Sequence, residues 1–460
     1  QRTDNTNNFL SFFATFAYSF KNRYVVNANV RNDASNVFGQ DINHRIDPTY
    51  SFGLSWRASE EAFFQKHLKW ITTLNFRGTF GIQGNALTRE SPELILSQQG
   101  VQPGYNRYFS TIGQIPNPYL SWERTRNWNF GVDLELFRMF YMNLEYYTRR
   151  SNAVITVDLP FEYGIDDMKR NGGIIYNRGI EYTLSFTPIQ KRDFSLNINL
   201  NASKNWNKGG ETKIDRNTAM YLRGGSTQIL KEGYPLSAFW SYSFAGLDGS
   251  NGKPMFNYVE VPDEEKSKSI DPTTYLVYSG ETEPYFTGGL GFSFRYKSLS
   301  LNTSFSLLLG SKKRLPSPYS DFQGSGSMMP DPTKNVNRDL LNRWQKPGDE
   351  VYTNIPGLPT WPIEIGWTLP NTDSAESAIE MWEKSDAMVV SGSFLRCRNI
   401  GLSWQMKKEW CDKIHAKNLA INFNMDNIFV IASKRFNGFD PELENSIMPR
   451  SFSLGLNIGF

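Results

Sequence analysis

The last ten residues, Ser451 to Phe460, place Phe452, Leu454, Leu456, Ile458 and Phe460 on one parity. Ser453, Gly455, Asn457 and Gly459 fall on the other. Side chains alternate faces along a strand, so this segment predicts a strand with one apolar face and one small, polar face. The pattern recurs upstream. Leu196, Ile198 and Leu200 oppose Asn197, Asn199 and Asn201, and Leu419, Ile421, Phe423 and Met425 oppose Asn422, Asn424 and Asp426. Ile180, Tyr182, Leu184 and Phe186 oppose Glu181, Thr183 and Ser185. A soluble antiparallel sandwich alternates too, but its strands are usually about 5–6 residues long. The runs here reach roughly 10 residues, the length a tilted strand needs to cross a bilayer.

Connections between the runs alternate short and long. Tight turns are expected at Lys21-Asn22-Arg23, Arg138-Met139, Pro188 to Asp193 and Lys297-Ser298. Long connections are expected over Gly84–Arg124, Ser151–Gly173 and Gly310–Gly392. A further strand pair is expected near Tyr221–Leu230 and Ser237–Ala245. Turns short on one side and loops long on the other mark an outer-membrane β-barrel. Only 39% of residues are hydrophobic and no apolar run is long enough for a helical span. Lipid offers no hydrogen-bond partner, so strands in it must have their edges paired. Asn is costly in hydrocarbon and comfortable in a wet lumen. The apolar face is therefore expected to meet lipid and the polar face water. Aromatics make up 15% of the chain, enough for belts at both interfaces. Tyr146, Tyr147 and Tyr296, near strand ends, read as interface anchors. The fold class expected is all-β, a transmembrane antiparallel β-barrel of the outer-membrane type.

Charge and cysteine content exclude several functions. The net charge of +3 is no footprint for nucleic acid. Cys397 and Cys411 make no disulfide framework. His44, His67 and His415 are scattered over three connections, none at metal-ligand spacing with Cys or carboxylates. No nucleophile elbow, zinc-protease helix or phosphate-binding loop occurs. Asp248–Gly252 lacks the alternating acidic spacing of a calcium loop and reads as a turn. No cofactor, no metal and no catalytic residue is expected.

The runs number about 15, whereas single-chain bacterial barrels normally have an even count. With the tight turns periplasmic, both the first and the last strand run downward. The expectation is that residues 1–460 are the carboxy-terminal part of one barrel domain, with strands missing at the amino end. Phe452, Leu454, Leu456, Ile458 and Phe460 would then form a closing strand whose partner lies outside this sequence.

Several stretches carry a resemblance to a known family. They are Arg23-Tyr24 through Arg31-Asn-Asp-Ala-Ser-Asn-Val-Phe-Gly39, Ser55-Trp56-Arg57-Ala-Ser-Glu-Glu-Ala-Phe63, and Gly81-Ile-Gln-Gly-Asn85. To these are added Asn117-Pro-Tyr-Leu-Ser-Trp-Glu123, Asn171-Gly-Gly-Ile-Ile-Tyr-Asn-Arg-Gly-Ile-Glu181, Gly246-Leu-Asp248 with Gly252-Lys-Pro254, and Arg343-Trp344 with Pro347-Gly-Asp349. Ser391 to Leu402, Phe439-Asp-Pro-Glu442 and the terminal Phe460 complete the set. In this order they resemble the SusC/RagA-like TonB-dependent transporters of Bacteroidota outer membranes. The resemblance implies a 22-stranded barrel with an internal plug, about 15 of the strands lying in this chain. It also implies import driven through TonB and a SusD-like surface lipoprotein seated over the extracellular loops. The family's amino-terminal domain, plug and TonB box have no counterpart in these residues, so the chain is expected to be a portion of such a transporter. An aromatic terminus resembles the signal read by the barrel-assembly machinery.

The expected substrate is an oligosaccharide first and an oligopeptide second. A passive porin or structural barrel is the competing class. Trp361, Trp367 and Trp382, in the long Gly310–Gly392 region, are the candidate substrate-binding residues, because flat sugar faces stack on aromatic rings. The alternative for each is packing of the loop on itself or against the lid protein. The acidic stretch from Glu260 to Glu283 reads as a solvated surface or a partner-docking segment.

Overall fold

The computed structural model describes residues 8–35, 46–85, 93–102, 104–159, 161–165, 167–211, 222–223, 230–257, 272–319, 333, 335–358, 378–443 and 446–460. They divide into two compact units. The first comprises the described residues of Gln1–Arg216, Leu230–Leu236 and Gly288–Asn302, and the second those of Asn217–Ile229, Ser237–Thr287 and Thr303–Phe460.

In the first unit the strands are β1 (Phe9–Phe20), β2 (Tyr24–Ser35), β3 (Ile46–Arg57), β4 (Ile71–Asn85), β5 (Ile95–Gln102), β6 (Arg107–Gln114), β7 (Glu123–Leu136), β8 (Phe140–Asp158), β9 (Asp167–Gln190) and β10 (Phe194–Gly209). All except β5 and β6 lie in one sheet in chain order, β1-β2-β3-β4-β7-β8-β9-β10. The order is up and down throughout because each tight turn joins neighbours. Lys21 and Asn22 both have positive φ, at 50° and 58°, as do Phe137 and Arg138, at 53° and 57°. Two consecutive left-handed residues make the turn whose twist matches the flanking strands. The Arg23 N–H donates to the Phe20 carbonyl at 3.0 Å, and that of Met139 to Leu136 at 2.9 Å.

The second unit contains β11 (Ala238–Tyr242), β12 (Phe244–Leu247), β13 (Pro254–Phe256) and β14 (Leu276–Glu281). The long strand β15 (Phe286–Tyr296) lies mostly in the first unit, and β16 (Leu299–Leu309) is divided between the two at Asn302. Next come the short strands β17 (Lys312–Arg314) and β18 (Val389–Ser391), then the long β19 (Phe394–Gln405), β20 (Asn418–Ile431) and β21 (Ser451–Gly459). The long strands again follow chain order, β16-β19-β20-β21. The helices α1 (Ala62–His67), α2 (Ala378–Glu383) and α3 (Lys408–Lys413) are short.

Four expectations need correction. Among the described residues the main sheet holds 13 long strands rather than about 15. Residues 237–245 do not join it, because β11 pairs with β14 and β12 with β13 in small sheets of their own. Of the proposed partner Tyr221–Leu230, only Leu222, Arg223 and Leu230 are described. The Gly84–Arg124 connection contains the β5–β6 hairpin, and Ser151–Gly173 is largely strand, with β8 and β9 pairing as far as Asp158 and Asp167. Such extensions lie beyond a hydrocarbon layer about 25 Å tall. Their side chains need not segregate by polarity there, so the alternation that betrays a membrane strand fades.

Register confirms the two faces. Leu144 stands opposite Tyr182 and Tyr146 opposite Ile180, while Asn143 faces Thr183 and Glu145 faces Glu181. Rings pair across the apolar face: Trp56 with Phe76 at 5.6 Å, Phe80 with Trp128 at 4.4 Å, and Phe194 with Phe294 at 5.2 Å between centroids. Cross-strand aromatic pairs of this kind stabilise a sheet by about 0.2–1 kcal/mol each. On β21, Phe452, Leu454, Leu456 and Ile458 oppose Met425, Phe423, Ile421 and Leu419. Among the described residues β21 pairs only with β20, and Phe460 beyond it is 78% exposed. An apolar face this large and exposed belongs in contact with lipid.

A charge placed mid-strand tests the assignment of faces. Leu144→Arg should lower barrel stability by about 2–4 kcal/mol, and Asn199→Arg on the polar face by less than about 0.5 kcal/mol. Equilibrium denaturant unfolding in a lipid bilayer measures both, and equal effects would contradict the assignment.

Candidate functional site

The polar face of the long strands is the first part of the site. On β4, β7 and β8 it carries an ionic cluster. The Arg77 guanidinium lies 3.3 Å from the Asp133 carboxylate and 2.9 Å from that of Glu145. Asn143 donates to Asp133 at 2.8 Å and Asn129 to Glu145 at 3.2 Å. Gly131, on the same face, leaves room for the cluster. A Cβ there would lie 3.0 Å from Arg77 Nη2, so the glycine lets the guanidinium lie flat across β7. Tyr147 does the same over Gly179, where a Cβ would come within 2.5 Å of its ring. Its hydroxyl donates to Asn205 at 3.2 Å. Tyr147 is thus a covered, 8% exposed member of the polar face and not the interface anchor expected from sequence.

Amides dominate the rest. Asn197 donates to Thr187 at 2.8 Å, and Asn207 to Asn177 at 2.6 Å. In the second unit Asn399 donates to Asp426 at 2.8 Å, Ser451 to Asp426 at 3.0 Å, and Ser403 to Asn422 at 2.7 Å. Such a face offers a ligand many exchangeable, mostly uncharged donors and acceptors in water.

The second part is a loop cluster within the second unit. Tyr319, Leu340, Ile379, Trp382 and Met388 form a buried core, with Phe244, Phe256, Leu315, Ile355 and Leu358 packed against it. Trp382 is 1% exposed. Its ring meets Tyr319 edge to face at 6.1 Å, and its indole N–H donates to the Asn354 carbonyl at 2.8 Å. Burial pushes the Tyr319 hydroxyl above its ordinary pKa; that hydroxyl donates to the Pro356 carbonyl. Beside this core is a cavity of about 390 Å³ whose lining includes Pro316, Asp339, Tyr352, Asn354, Asp386 and Arg435. Arg435 is tied down by donating to the carbonyls of Val389 and Ala387. Deeper in the unit, Arg314 donates to the carbonyls of Arg223 and Trp240 and to Ser241 Oγ. Burial, with Arg223 nearby, lowers its pKa to about 10.

Of the three candidate tryptophans, Trp361 and Trp367 lie outside the described residues. Trp382 shapes the cavity from behind, its ring faces covered by protein. The Asp248 carboxylate is engaged by Ser250 and Asn251 in a turn. Cys397 and Cys411 are buried and unpaired. The Glu260–Asp271 part of the acidic stretch lies outside the described residues. Sequence reasoning passed over Arg77, Asp133 and Glu145, although charges on the polar parity of long strands were a usable signal. It could not find the cavity, whose walls come from residues 315–439.

A sequence model described as TonB dependent receptor-like, beta-barrel matches residues 1–310. The chain is 25% identical to the TonB-dependent receptor SusC of Bacteroides thetaiotaomicron over 99% of its own length and 44% of that protein's. It is 23% identical to TonB-dependent receptor P3 of Formosa agariphila, over 99% of this chain and 46% of the relative. The chain therefore spans about half the length of the curated relatives it matches. A solved structure titled as the RagAB peptide transporter superposes with a TM-score of 0.75 at 22% identity, over 99% of this chain and 48% of that one.

Replacing Trp382 with Ala should cost about 3–5 kcal/mol, felt locally. Hydrogen exchange at α2 and β18 should accelerate while β8 and β9 stay protected. Unchanged exchange at α2 would show that Trp382 does not support the cavity wall.

Proposed function

The chain belongs to the TonB-dependent receptor-like β-barrel family of the outer membrane, and from that premise we propose that it forms the wall of an active importer of nutrient oligomers. The family is one of transporters, not enzymes. The observation that carries the reading is the continuous polar face, with its amide ladder on β9 and β10 and the Arg77–Asp133–Glu145 cluster beside it. Substrate binds among the extracellular loops, a plug contributed by the rest of the protein blocks the lumen, and TonB moves the plug. Substrate then descends past the Asn- and Ser-rich wall into the periplasm. A SusD-like lipoprotein closes over the loops. The likeness to SusC supports that partnership, and the chain's span of 44% of that relative is compatible with plug and TonB-contacting segments elsewhere in a full-length protein. Residues 1–460 act as the carboxy-terminal part of that single barrel domain, with β21 as its closing strand. Trp361, Trp367 and Trp382 belong to the substrate-binding loops, Trp382 by supporting the cavity.

The substrate is an oligosaccharide. Neutral amides and hydroxyls exchange hydrogen bonds with sugar hydroxyls at little desolvation cost, and the exposed ring of Tyr352 at the cavity offers a stacking face. An oligopeptide is the second reading, favoured by Asp339 and Asp386 in the same lining, which can hold a cationic side chain or amino terminus.

Uptake in cells with and without the gene, offered oligosaccharides and oligopeptides of matched size, decides. The expected outcome is glycan uptake that disappears when either this gene or TonB is deleted. Peptide uptake without glycan uptake would overturn the substrate, and uptake indifferent to TonB would point to a passive pore.

A further inference from the structure

The apolar face of β8, β9 and β10 changes character at one height. Counting up from the tight turns, its positions are Phe140, Met142, Leu144 and Tyr146 on β8, then Thr148 and Arg150. On β9 they are Phe186, Leu184, Tyr182 and Ile180, then Arg178 and Tyr176. On β10 they are Ile198, Leu200 and Ala202, then Lys204, Trp206 and Lys208. The register aligns these as two rows. Thr148 stands beside Arg178, and Arg178 beside Trp206. Arg150 stands beside Tyr176, and Tyr176 beside Lys208. The rows lie roughly 10 residues above the tight turns, which is the upper edge of the hydrocarbon layer for a tilted strand. They are on the lipid side, on the half of the membrane facing the long loops.

Here the surface is concave. A cavity of about 650 Å³ is lined by Thr148, Arg150, Tyr176, Arg178, Trp206 and Lys208, with Glu211 and Glu232 also in its wall. The three basic side chains are exposed, and among the described residues none forms an ion pair. Arg150 lies 6.0 Å above the Tyr176 ring and Lys204 lies 4.9 Å from Trp206, which holds the cations at the rim of the aromatic belt. Three exposed cations gathered on the lipid-side parity, with two carboxylates in the cavity wall, leave an excess of positive charge at the edge of the hydrocarbon. Their position makes sense against anionic headgroups. Arg forks suit phosphate oxygens, the rings flank acyl chains and sugar, and the two carboxylates can accept from sugar hydroxyls.

We propose that Arg150, Arg178 and Lys208, framed by Tyr176 and Trp206, form a lipid-facing site for the phosphate of an outer-leaflet phosphoglycolipid. The site is separate from the transport path on the other face of the same strands. It anchors the barrel at a fixed height.

The test uses the full-length protein in mild detergent, titrated with bis-phosphorylated lipid A, dephosphorylated lipid A or inorganic phosphate, with bound lipid read by native mass spectrometry. Each cation near a charged lipid surface contributes about a fivefold change in affinity. Combined substitution R150Q/R178Q/K208Q should therefore weaken lipid A binding by about a hundredfold. The R150K/R178K variant, which keeps the charge and loses both forks, should bind more weakly than the unsubstituted protein and more tightly than the triple variant, and K191Q/R192Q at the opposite strand ends should leave binding unchanged. If the triple variant fails to assemble, Arg178→Gln alone should show about a fivefold loss. Undiminished binding by the charge-removed variants would overturn the site. Equal binding of the dephosphorylated lipid would overturn the assignment to phosphate, and displacement of lipid A by inorganic phosphate at equal concentration would overturn the assignment to a lipid.

Discussion

Backbone amides in hydrocarbon have no water to fall back on, and each unpaired N–H or C=O there costs several kcal/mol. That constraint dictates the long antiparallel ladders. The pairing of β8 with β9 runs without a break from Phe140 opposite Phe186 to Ala153 opposite Gly173, shifting only at Val154. The segment that must be gap-free is the one the membrane covers. With the backbone committed to a ladder, side chains can only alternate, and each strand is forced to present one face to lipid and the other to water.

The polar face then follows from packing. Side chains on adjacent strands are close enough to crowd, so a large group lies flat along the wall most readily where a neighbour lacks a side chain. Gly131 beneath Arg77 and Gly179 beneath Tyr147 are two such vacancies. They let charged and aromatic groups lie along the wall instead of projecting across it. An Arg balanced by Asp133 and Glu145 keeps the wall wet without giving it a strong single sign. A surface of this kind can be crossed by a polar oligomer without binding it tightly at any one point. In the loops of the second unit the requirement changes. They build an ordinary hydrophobic core around Tyr319 and Trp382, and this core, not the sheet, shapes the half-open cavity.

Alternation made the membrane strands legible in the sequence, from Phe9–Phe20 to Ser451–Phe460, because solvent on each face selects residue type. It failed where that selection ceases. The β5–β6 hairpin is exposed almost throughout, and the upper reaches of β8 and β9 pack against residues 117–121 instead of meeting lipid, so no lipid–water contrast enforces a parity there. Ala238–Tyr242 reads as a strand and is one, but Phe239, Trp240 and Tyr242 are buried together in a small sheet, and period alone cannot tell which sheet a strand joins. Tyr147 was misplaced because adjacent tyrosines at 146 and 147 must take opposite faces, and its cover, Gly179, is 32 residues away in sequence. For Trp382 the sequence offers stacking on substrate or packing of the loop on itself, and its burial shows packing; the partners, at residues 319 and 354, are too far away in sequence to be read from it.

The central claim is that one parity of these strands meets lipid and the other water. Spin labels placed singly at residues 140–150 of β8 measure this directly through their collision rates with oxygen and with a water-soluble nickel chelate. Cys397 and Cys411 are buried and interfere little. Labels at 142, 144 and 146 should favour oxygen, and labels at 143, 145 and 147 the chelate. The preference at the even positions should end at 150, where Arg150 marks the membrane edge. A uniform profile, or one with the parities exchanged, would contradict the account.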